Sequence, residues 1–149
     1  MVSEMQLSGN IGEAEALAAF VRLGLPVYLP FCGEDEVDMV VLLGGRLQKI
    51  QCKASRHLSK TGSSLVFRTN HLTTVPNNRR VCSPYEPGTV DYFALYNQID
   101  DELYLVPWSV ASGLSISIVI DPDVRRQATM HYAADYRLED VVQRLNTAG

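Results

Sequence analysis

The hydrophobic and polar positions of the chain change period several times, and the first period is that of a helix. Across residues 8–23 apolar side chains recur at helical spacing, and the segment is rich in alanine, which favours a helix. We expect this helix to end at Gly24 and to bury the face that carries Leu17, Phe20 and Val21.

Short apolar runs between turn-forming residues predict β-strands in the middle of the chain. Residues 73–88 instead contain three prolines, two asparagines and a glycine, and are predicted to be a loop. A second amphipathic pattern, across residues 138–145, predicts a short helix. Together these elements indicate an α/β (α+β) fold, with a central mixed sheet flanked by helices, in a single domain of residues 1–149. The predicted strands cover residues 27–31, 37–43, 46–53, 65–69, 91–97, 103–106 and 114–120.

Composition narrows the class of protein. Of the 149 residues, 46% are hydrophobic, which is normal for a globular domain, and we find no apolar run long enough to cross a membrane. The first residues, MVSEMQLSGN, lack the basic start and apolar stretch of a secretory signal, so we expect a cytoplasmic protein. The three cysteines form no CxxC pair, which argues against a disulfide framework or a zinc site.

Charge is distributed unevenly along the chain. The net charge of −4 at pH 7, taken alone, argues mildly against nucleic-acid binding. Residues 46–80, however, contain eight of the 13 Lys and Arg residues and none of the 17 Asp and Glu residues. This asymmetry indicates a cationic surface that meets an anionic partner; a solvated basic face without a partner is the alternative.

The stretch VDMVVLLGGRLQKIQCK, residues 37–53, predicts a β-hairpin that turns at two consecutive glycines. If the turn has two residues, Asp38 lies directly across from Gln51, and Lys53 projects from the same face two residues further on. Opposed Cβ atoms are roughly 5 Å apart, close enough for their side chains to share one metal ion. A structural ion pair between Asp38 and Lys53 is the competing interpretation.

The two faces of this hairpin are predicted to have different surroundings. Val37, Met39, Val41, Ile50 and Cys52 form one face, which we expect to belong to the core. The polar trio of Asp38, Gln51 and Lys53 lies on the other face, together with apolar residues further along the hairpin. We therefore expect that face to be largely covered as well. Those apolar residues are Val40, Leu42 and Leu47.

A fourth polar residue, Glu13, is predicted to face the sheet because it lies on the helix face that carries Leu17 and Phe20. Glu13 could instead complete a capping box with Asn10 as N-cap, and the two roles are compatible. With the hairpin trio, Glu13 makes an oxygen-rich set with one cation, which suits Mg²⁺ rather than zinc.

The order of these residues resembles the PD-(D/E)XK nuclease superfamily, with a helix Glu, a strand Asp and then (Asp/Glu)-x-Lys on the next strand. The segments GEAEALAAF, EVDMVV and IQCK are similar to its three motif blocks. The Gln variant, followed by VDYFALY and LYLVPW, resembles the small homing endonucleases of this superfamily that bacterial group I introns encode. The resemblance covers residues 10–108 and implies a restriction-endonuclease-like core.

The resemblance implies hydrolysis of DNA phosphodiester bonds with Mg²⁺ or Mn²⁺. It makes Asp38 the central metal ligand, together with the side-chain oxygen of Gln51 and the backbone carbonyl of Cys52. Glu13 would hold a second metal ion or a coordinated water, and Lys53 would position the attacking water and offset charge on the phosphate.

Two positions depart from the family pattern. Val37 replaces the Pro of the family name, a common relaxation, and Gln51 replaces an acid. An amide oxygen can still bind a metal ion, but it contributes a dipole and no charge. Metal binding should therefore be weaker than with three carboxylates, or should need a DNA phosphate as a further ligand.

Double-stranded DNA is the partner that the resemblance implies. A domain of this size covers a limited length of DNA, so we expect a homo-oligomer, a dimer or a tetramer. Residues 114–120 and 138–145 could supply an interface, although ordinary core packing is the simpler interpretation. The candidates for phosphate or base contact are Arg56, His57, Lys60, Arg68, Asn70, His71, Arg79 and Arg80.

Other functions remain open from the sequence alone. A Holliday-junction resolvase or a restriction-type enzyme would use the same residues on a different DNA. The neutral Gln51 keeps open a catalytically inactive DNA-binding module of the same fold. A small-molecule-binding α/β domain is disfavoured by the acid-free segment of residues 46–80.

Overall fold

A five-stranded mixed sheet lies at the centre of the computed structural model, which describes residues 1–32 and 36–148. The elements, in chain order, are α1 (Glu4–Arg22), β1 (Val27–Tyr28), β2 (Met39–Leu43), β3 (Arg46–Ser55), β4 (Ser64–Arg68), β5 (Asn70–Val75), β6 (Arg79–Pro84), β7 (Tyr92–Asn97), β8 (Glu102–Pro107), β9 (Ser115–Val119), β10 (His131–Tyr132), α2 (Ala133–Tyr136) and α3 (Leu138–Thr147).

The central sheet has the strand order β1-β2-β3-β7-β8, in which β3 and β7 run parallel and the other neighbours are antiparallel. A smaller sheet has the order β10-β9-β4, and β5 pairs with β6 alone as a two-stranded ribbon. The predicted α/β (α+β) architecture, with a central mixed sheet and flanking helices, is confirmed. None of the described helices combines the length and the apolar character needed to cross a membrane.

Two apolar cores lie on the two faces of the central sheet. The first core joins α1 and α3 to the face that carries Met39, Val41 and Ile50. The second core joins the smaller sheet to the opposite face, where Phe93 and Leu95 pack with residues such as Phe67. The sheet is therefore covered on both sides at β7 and β8, as their runs of consecutive buried residues require, whereas β2 is fully buried only on the face of the first core.

Helix α1 begins earlier than its apolar pattern predicts. Ser3 is the N-cap, its side-chain oxygen accepts a hydrogen bond from the backbone N–H of Gln6 at 3.2 Å, and the two residues form a capping box. The predicted start at residue 8 is therefore wrong by one turn. The predicted burial of Val21 is also wrong, because its side chain is 56% exposed, whereas Ala16 and Phe20 are fully buried.

The hairpin of β2 and β3 has the predicted register, with Met39 opposite Ile50. Gly44 and Gly45 have φ of 62° and 74°, the left-handed conformation that a two-residue hairpin turn needs. The expectation that Val40, Leu42 and Leu47 lie on a covered face is wrong at the turn end of the hairpin. Leu42 is 36% exposed and Leu47 is 61% exposed, so that end of the face is open to solvent.

The predicted loop at residues 73–88 is mostly an antiparallel ribbon, which we call the β5–β6 ribbon (residues 70–84). Its strands join through residues 76–78, where Asn77 and Asn78 have φ of 74° and 56°. Pro76 stands in the turn and Pro84 stands at the end of β6, so these breakers mark the ends of strands and not an irregular segment.

The later part of the chain contains elements that the pattern did not predict. Strand β10 and helix α2 are short, with two and four residues, and β1 is shorter than the predicted strand at residues 27–31. The apolar side chains of residues 114–120 and 138–145 lie mainly in the two cores. Core packing, the simpler of the two interpretations of those segments, is therefore what the structure has.

Candidate active site

Asp38 lies at a bend immediately before β2. Its N–H donates to the carbonyl of Ile50 at 2.9 Å, and Ile50 is already paired with Met39, so the regular pairing ends at Met39 and does not extend to the predicted Asp38–Gln51 pair. The Asp38 Oδ2 atom accepts a hydrogen bond from the backbone N–H of Cys52 at 2.7 Å. That bond holds the carboxylate against β3 and leaves its second oxygen outside this interaction.

The Gln51 side chain ends in a buried oxygen atom. In the described part of the chain, the Oε1 atom of Gln51 has no hydrogen-bond partner. A buried acceptor without a donor costs roughly 1–3 kcal/mol, so such an atom in a native protein needs an explanation. A bound cation beside Asp38 would supply one.

The ammonium group of Lys53 is half-buried and is held by two groups from the β5–β6 ribbon and its end. Its Nζ atom donates to the backbone carbonyl of Asn70 at 3.0 Å and lies 5.3 Å from the centre of the Tyr85 ring. Burial lowers the pKa of Lys53, and the carboxylate of Asp38 partly opposes that shift. The ammonium charge is therefore partly desolvated.

The competing ion-pair interpretation of the trio is not what the structure has. Among the described residues, the carboxylate–cation pairs within 4.0 Å do not include Asp38 with Lys53. The two groups interact at longer range, and each keeps hydrogen bonds to backbone groups.

Glu13 occupies the middle of α1 and is half-buried. Because the N-cap is Ser3, the alternative role of Glu13 in a capping box with Asn10 is wrong. Burial raises the pKa of Glu13, and repulsion from the Asp38 carboxylate raises it further, so the helix acid and the strand acid lie within electrostatic range of each other.

A close helix–strand crossing carries Glu13 to this end of the sheet. Gly12 is buried where α1 crosses β3, and a Cβ at this position would lie 3.0 Å from the Cβ of Ala54. A larger residue would push the helix away from β3. The neighbouring Glu13 would move with it.

The electrostatic environment is unfavourable for every ionised group of the site. Burial raises the pKa of Asp38, against the lowering effects of the Cys52 N–H and of Lys53. Burial also raises the pKa of the Cys52 thiol well above its usual value, with further increases from Asp38 and Glu13. The thiol therefore stays neutral, and a role for Cys52 in metal binding would use its backbone carbonyl.

The donor set fits a hard cation better than a soft one. No group of three or more His, Cys, Asp and Glu side chains in residues 1–32 and 36–148 is arranged to hold a metal ion. The candidate set instead combines two carboxylates, a backbone carbonyl and the amide oxygen of Gln51, which has no partner among the residues described. Oxygen atoms of this kind suit Mg²⁺ or Mn²⁺.

The predicted DNA contacts fall into two groups. Asn70 and His71 are half-buried at the base of the β5–β6 ribbon, where the His71 ring lies 5.0 Å from the Tyr85 ring. Arg56 is exposed and lies 3.8 Å from Glu4. The other candidates are exposed: His57, Lys60, Arg68, Arg79 and Arg80.

Two neighbours of Lys53 were not assigned to the site from the sequence. Tyr85 is buried and follows β6, in a segment whose prolines predicted a loop. The carbonyl of Asn70 is a backbone group, for which the amino-acid type carries no signal. Both reach Lys53 only because the ribbon starts and ends beside β3.

Comparisons with known proteins identify the family of the chain. Residues 3–139 match the family model described as PD-(D/E)XK endonuclease. The chain is similar to Protein 5.3 of Escherichia phage T7, with 24% identity over 112 residues, 75% of this chain and 87% of that protein. It is also similar to the solved structure of a bacterial homing endonuclease, I-Ssp6803I, with a TM-score of 0.77 and 26% identity, over 98% of this chain and 96% of the other. The chain therefore belongs to the PD-(D/E)XK endonuclease family.

Proposed function

We propose that this protein is a site-specific DNA endonuclease of the homing type that hydrolyses phosphodiester bonds with a divalent cation. The observation that carries the proposal is the buried oxygen of Gln51, which has no hydrogen-bond partner among the described residues, next in the chain to Cys52, whose N–H binds the Asp38 carboxylate. Membership of the endonuclease family and similarity along nearly the whole chain to a homing endonuclease support it.

The residues present fit a divalent cation at the end of the β2–β3 hairpin. Asp38, the Oε1 atom of Gln51 and the carbonyl of Cys52 would hold Mg²⁺ or Mn²⁺, and Glu13 would bind on the helix side. When bound, the cation supplies Lewis-acid stabilisation of the charge that develops on the phosphate.

The chain's own groups contribute charge and orientation. The desolvated ammonium of Lys53 offsets negative charge on the scissile phosphate and orients the attacking water by hydrogen bonding. The Cys52 N–H holds Asp38 in one orientation. Glu13 accepts a hydrogen bond from a water on the helix side, and its raised pKa suits a group that takes up a proton.

The β5–β6 ribbon supplies the DNA-binding surface in this proposal. A two-stranded antiparallel ribbon fits the major groove of B-form DNA. Arg79 and Arg80 are exposed neighbours on β6, so their side chains point to opposite faces of the ribbon, one toward each wall of a groove. Arg56, His57, Lys60 and Arg68 would add phosphate contacts nearer the sheets.

A long target requires more than one copy of the chain, and we propose a homo-oligomer, a dimer or a tetramer. Exposed apolar side chains around β1 and the turn end of the β2–β3 hairpin support this proposal: Tyr28, Leu29, Phe31, Leu42 and Leu47. Sedimentation equilibrium with and without DNA measures the state; a monomer under both conditions would contradict it. A DNA target also agrees with the cytoplasmic location expected from the sequence.

The proposal is tested by incubating the protein with DNA that carries the insertion site of its own gene. Discrete cleavage products should form with Mg²⁺ and not with EDTA, and the Asp38→Ala variant should bind DNA without cutting it. Cleavage that persists in EDTA would contradict a metal-dependent mechanism. Binding without any cleavage by the wild type would support the inactive DNA-binding module, which Gln51 keeps in consideration.

A Holliday-junction resolvase and a homing endonuclease can be distinguished by whether they cut branched or linear DNA. Linear duplex and four-way junctions of matched sequence should be cut with a strong preference for the linear site. Cleavage that depends on the branch point, and not on sequence, would replace the homing proposal by junction resolution.

A further inference from the structure

The two ends of the β5–β6 ribbon meet at the ammonium group of Lys53. Asn70 is the first residue of β5, and its carbonyl accepts a hydrogen bond from Lys53 Nζ at 3.0 Å. Tyr85 follows the last residue of β6, and its ring lies 5.3 Å from the same nitrogen. Asn70 is paired with Pro84, so these two contacts come from opposite strands at the same end of the ribbon.

Tyr85 is held firmly on the side away from the ribbon. Its side chain is 4% exposed, and its ring packs edge-on against Phe93 at 5.6 Å. The indole N–H of Trp108 donates to the Tyr85 carbonyl at 3.2 Å. On the ribbon side, the His71 ring lies 5.0 Å from the Tyr85 ring. The tyrosine therefore lies between the second core, Lys53 and the ribbon.

The ammonium group of a lysine on a strand keeps one position only if neighbouring groups hold it there. Its four-carbon stem has large rotamer freedom, and the ammonium group has three donors that can rotate. One donor is used by Asn70, and Asp38 is beyond ion-pair distance. The aromatic ring of Tyr85 attracts the ammonium from a second direction, with its centre 5.3 Å from the nitrogen.

We propose that Tyr85 is a positioning residue, whose aromatic ring holds the Lys53 ammonium in place for the phosphate and ties it to the base of the DNA-binding ribbon. This inference rests on the proposed function for its catalytic consequence. The contact itself is independent of that function. The ring, and not the hydroxyl group, carries the effect, so phenylalanine should replace tyrosine and leucine should not.

Kinetics test the catalytic consequence with Tyr85→Phe and Tyr85→Leu. In single-turnover cleavage, Tyr85→Leu should be slower by about tenfold or more, and Tyr85→Phe should stay within about threefold of the wild type. DNA affinity, measured with Ca²⁺ in place of Mg²⁺, should change by about twofold or less in both variants. Equal loss in both variants, or full activity of Tyr85→Leu, would overturn the proposal.

Tyr136→Leu is a matched control for loss of an aromatic ring from the same core. Tyr136 packs against the second core and lies against His131, not against Lys53. Its substitution should affect thermal stability and leave the single-turnover rate within about twofold of the wild type. A similar slowing in Tyr136→Leu would show that general loosening of the core explains the Tyr85 result, and would overturn the proposal.

Nuclear magnetic resonance tests the contact without any cleavage. The Cε and Hε resonances of Lys53, assigned by their loss in Lys53→Ala, should be displaced upfield by the ring current of Tyr85. The displacement should persist in Tyr85→Phe and vanish in Tyr85→Leu. Resonances that are the same in Tyr85→Leu and wild type would overturn the contact, whereas a wild type with the displacement and no nuclease activity would contradict only the proposed function.

Discussion

At the scale of single residues, the candidate metal site has a small number of negatively charged side chains. Gln51 keeps a metal-binding oxygen where the family pattern has an acid, but it adds no negative charge to Asp38 and Glu13. Its Oε1 atom is buried and has no hydrogen-bond partner in the part of the chain that the structure describes, which would cost free energy if the role of Gln51 were purely structural. A DNA phosphate would bring the missing negative charge with the substrate.

Replacing Gln51 by glutamate tests this charge argument. Gln51→Glu should remain active and should reach half-maximal cleavage at a lower Mg²⁺ concentration, because a third carboxylate strengthens cation binding. Cleavage rate against Mg²⁺ concentration is the measurement. A titration indistinguishable from that of the wild type would mean that Gln51 does not bind the cation.

Lys53 should be essential for cleavage and dispensable for binding. Lys53→Ala should reduce the cleavage rate by about a hundredfold or more, while DNA affinity stays within a few-fold. Lys49→Ala is the matched control on the same strand, because the Lys49 ammonium donates to the Gly88 carbonyl outside the site. Strong Mg²⁺-dependent cleavage by Lys53→Ala would exclude the assigned role.

Asp38 should reduce the stability of the metal-free protein. Because the pKa of Asp38 is raised in the folded protein, ionisation of this carboxyl group lowers the free energy of unfolding. The full loss of stability applies at pH values above the folded-state pKa, and none applies at pH values below the unfolded-state pKa. Asp38→Asn in EDTA at neutral pH should therefore melt about 2–5 °C higher than the wild type. Mg²⁺ should narrow the difference by binding the wild type. A lower melting temperature in EDTA would contradict the prediction.

At the scale of elements, the α1–β3 crossing determines whether the helix acid reaches the strand acids. Gly12 permits this crossing, since its missing Cβ would lie 3.0 Å from the Cβ of Ala54. The apolar periodicity of α1 was enough to predict that Leu17 and Phe20 face the sheet, although Val21 does not. It did not show that a glycine sets the distance, because the close approach depends on Ala54, 42 positions later in the chain.

Two glycines of α1 make a matched pair for testing the crossing. Gly12→Val should destabilise the protein by about 1–3 kcal/mol and should slow cleavage by displacing Glu13. Gly9→Ala has open space around the new Cβ and should stabilise the helix by about 0.5–1 kcal/mol without affecting cleavage. Urea unfolding and single-turnover rates measure both effects; a Gly12→Val variant as stable and active as the wild type would refute the argument.

The hairpin and the ribbon show which parts of the site could be predicted from the sequence. Both are antiparallel pairs, but only the β2–β3 hairpin has Gly44-Gly45 between two apolar runs, so its register from Met39 to Leu43 could be predicted from local spacing. The ribbon turns through Pro76 and two left-handed asparagines, in a polar segment without an apolar period. The positions of Tyr85 and of the Asn70 carbonyl depend on that ribbon, so their contacts with the Lys53 ammonium could not be predicted from the sequence.

At the scale of the whole molecule, the acid-free segment of residues 46–80 does not form one uniform basic surface. Lys49 and Lys53 donate to backbone carbonyls, whereas Arg79 and Arg80 are exposed on the ribbon. The anionic partner that the charge asymmetry indicates agrees with the nuclease family to which the chain belongs. The charge pattern alone could not distinguish basic residues proposed for catalysis from basic residues proposed for DNA binding, because that distinction depends on the tertiary structure.

The ribbon arginines should contribute to DNA affinity through phosphate contacts. Arg79→Ala and Arg80→Ala should each weaken binding and reduce the slope of log affinity against log salt by about one where a phosphate contact is lost. Arg46→Ala is the control, since Arg46 is exposed at the opposite end of β3 from the site. Equal salt slopes in all three variants and the wild type would exclude the ribbon as the binding surface.

The central claim is that the buried oxygen of Gln51 and the carboxylate of Asp38 bind one divalent cation together. Anomalous diffraction from crystals of the protein with duplex DNA and Mn²⁺ locates that cation directly. We predict a peak within coordination distance of both Gln51 Oε1 and Asp38, and the loss of that peak in Asp38→Ala. A peak bound elsewhere, with Gln51 Oε1 still without a ligand, would contradict the account.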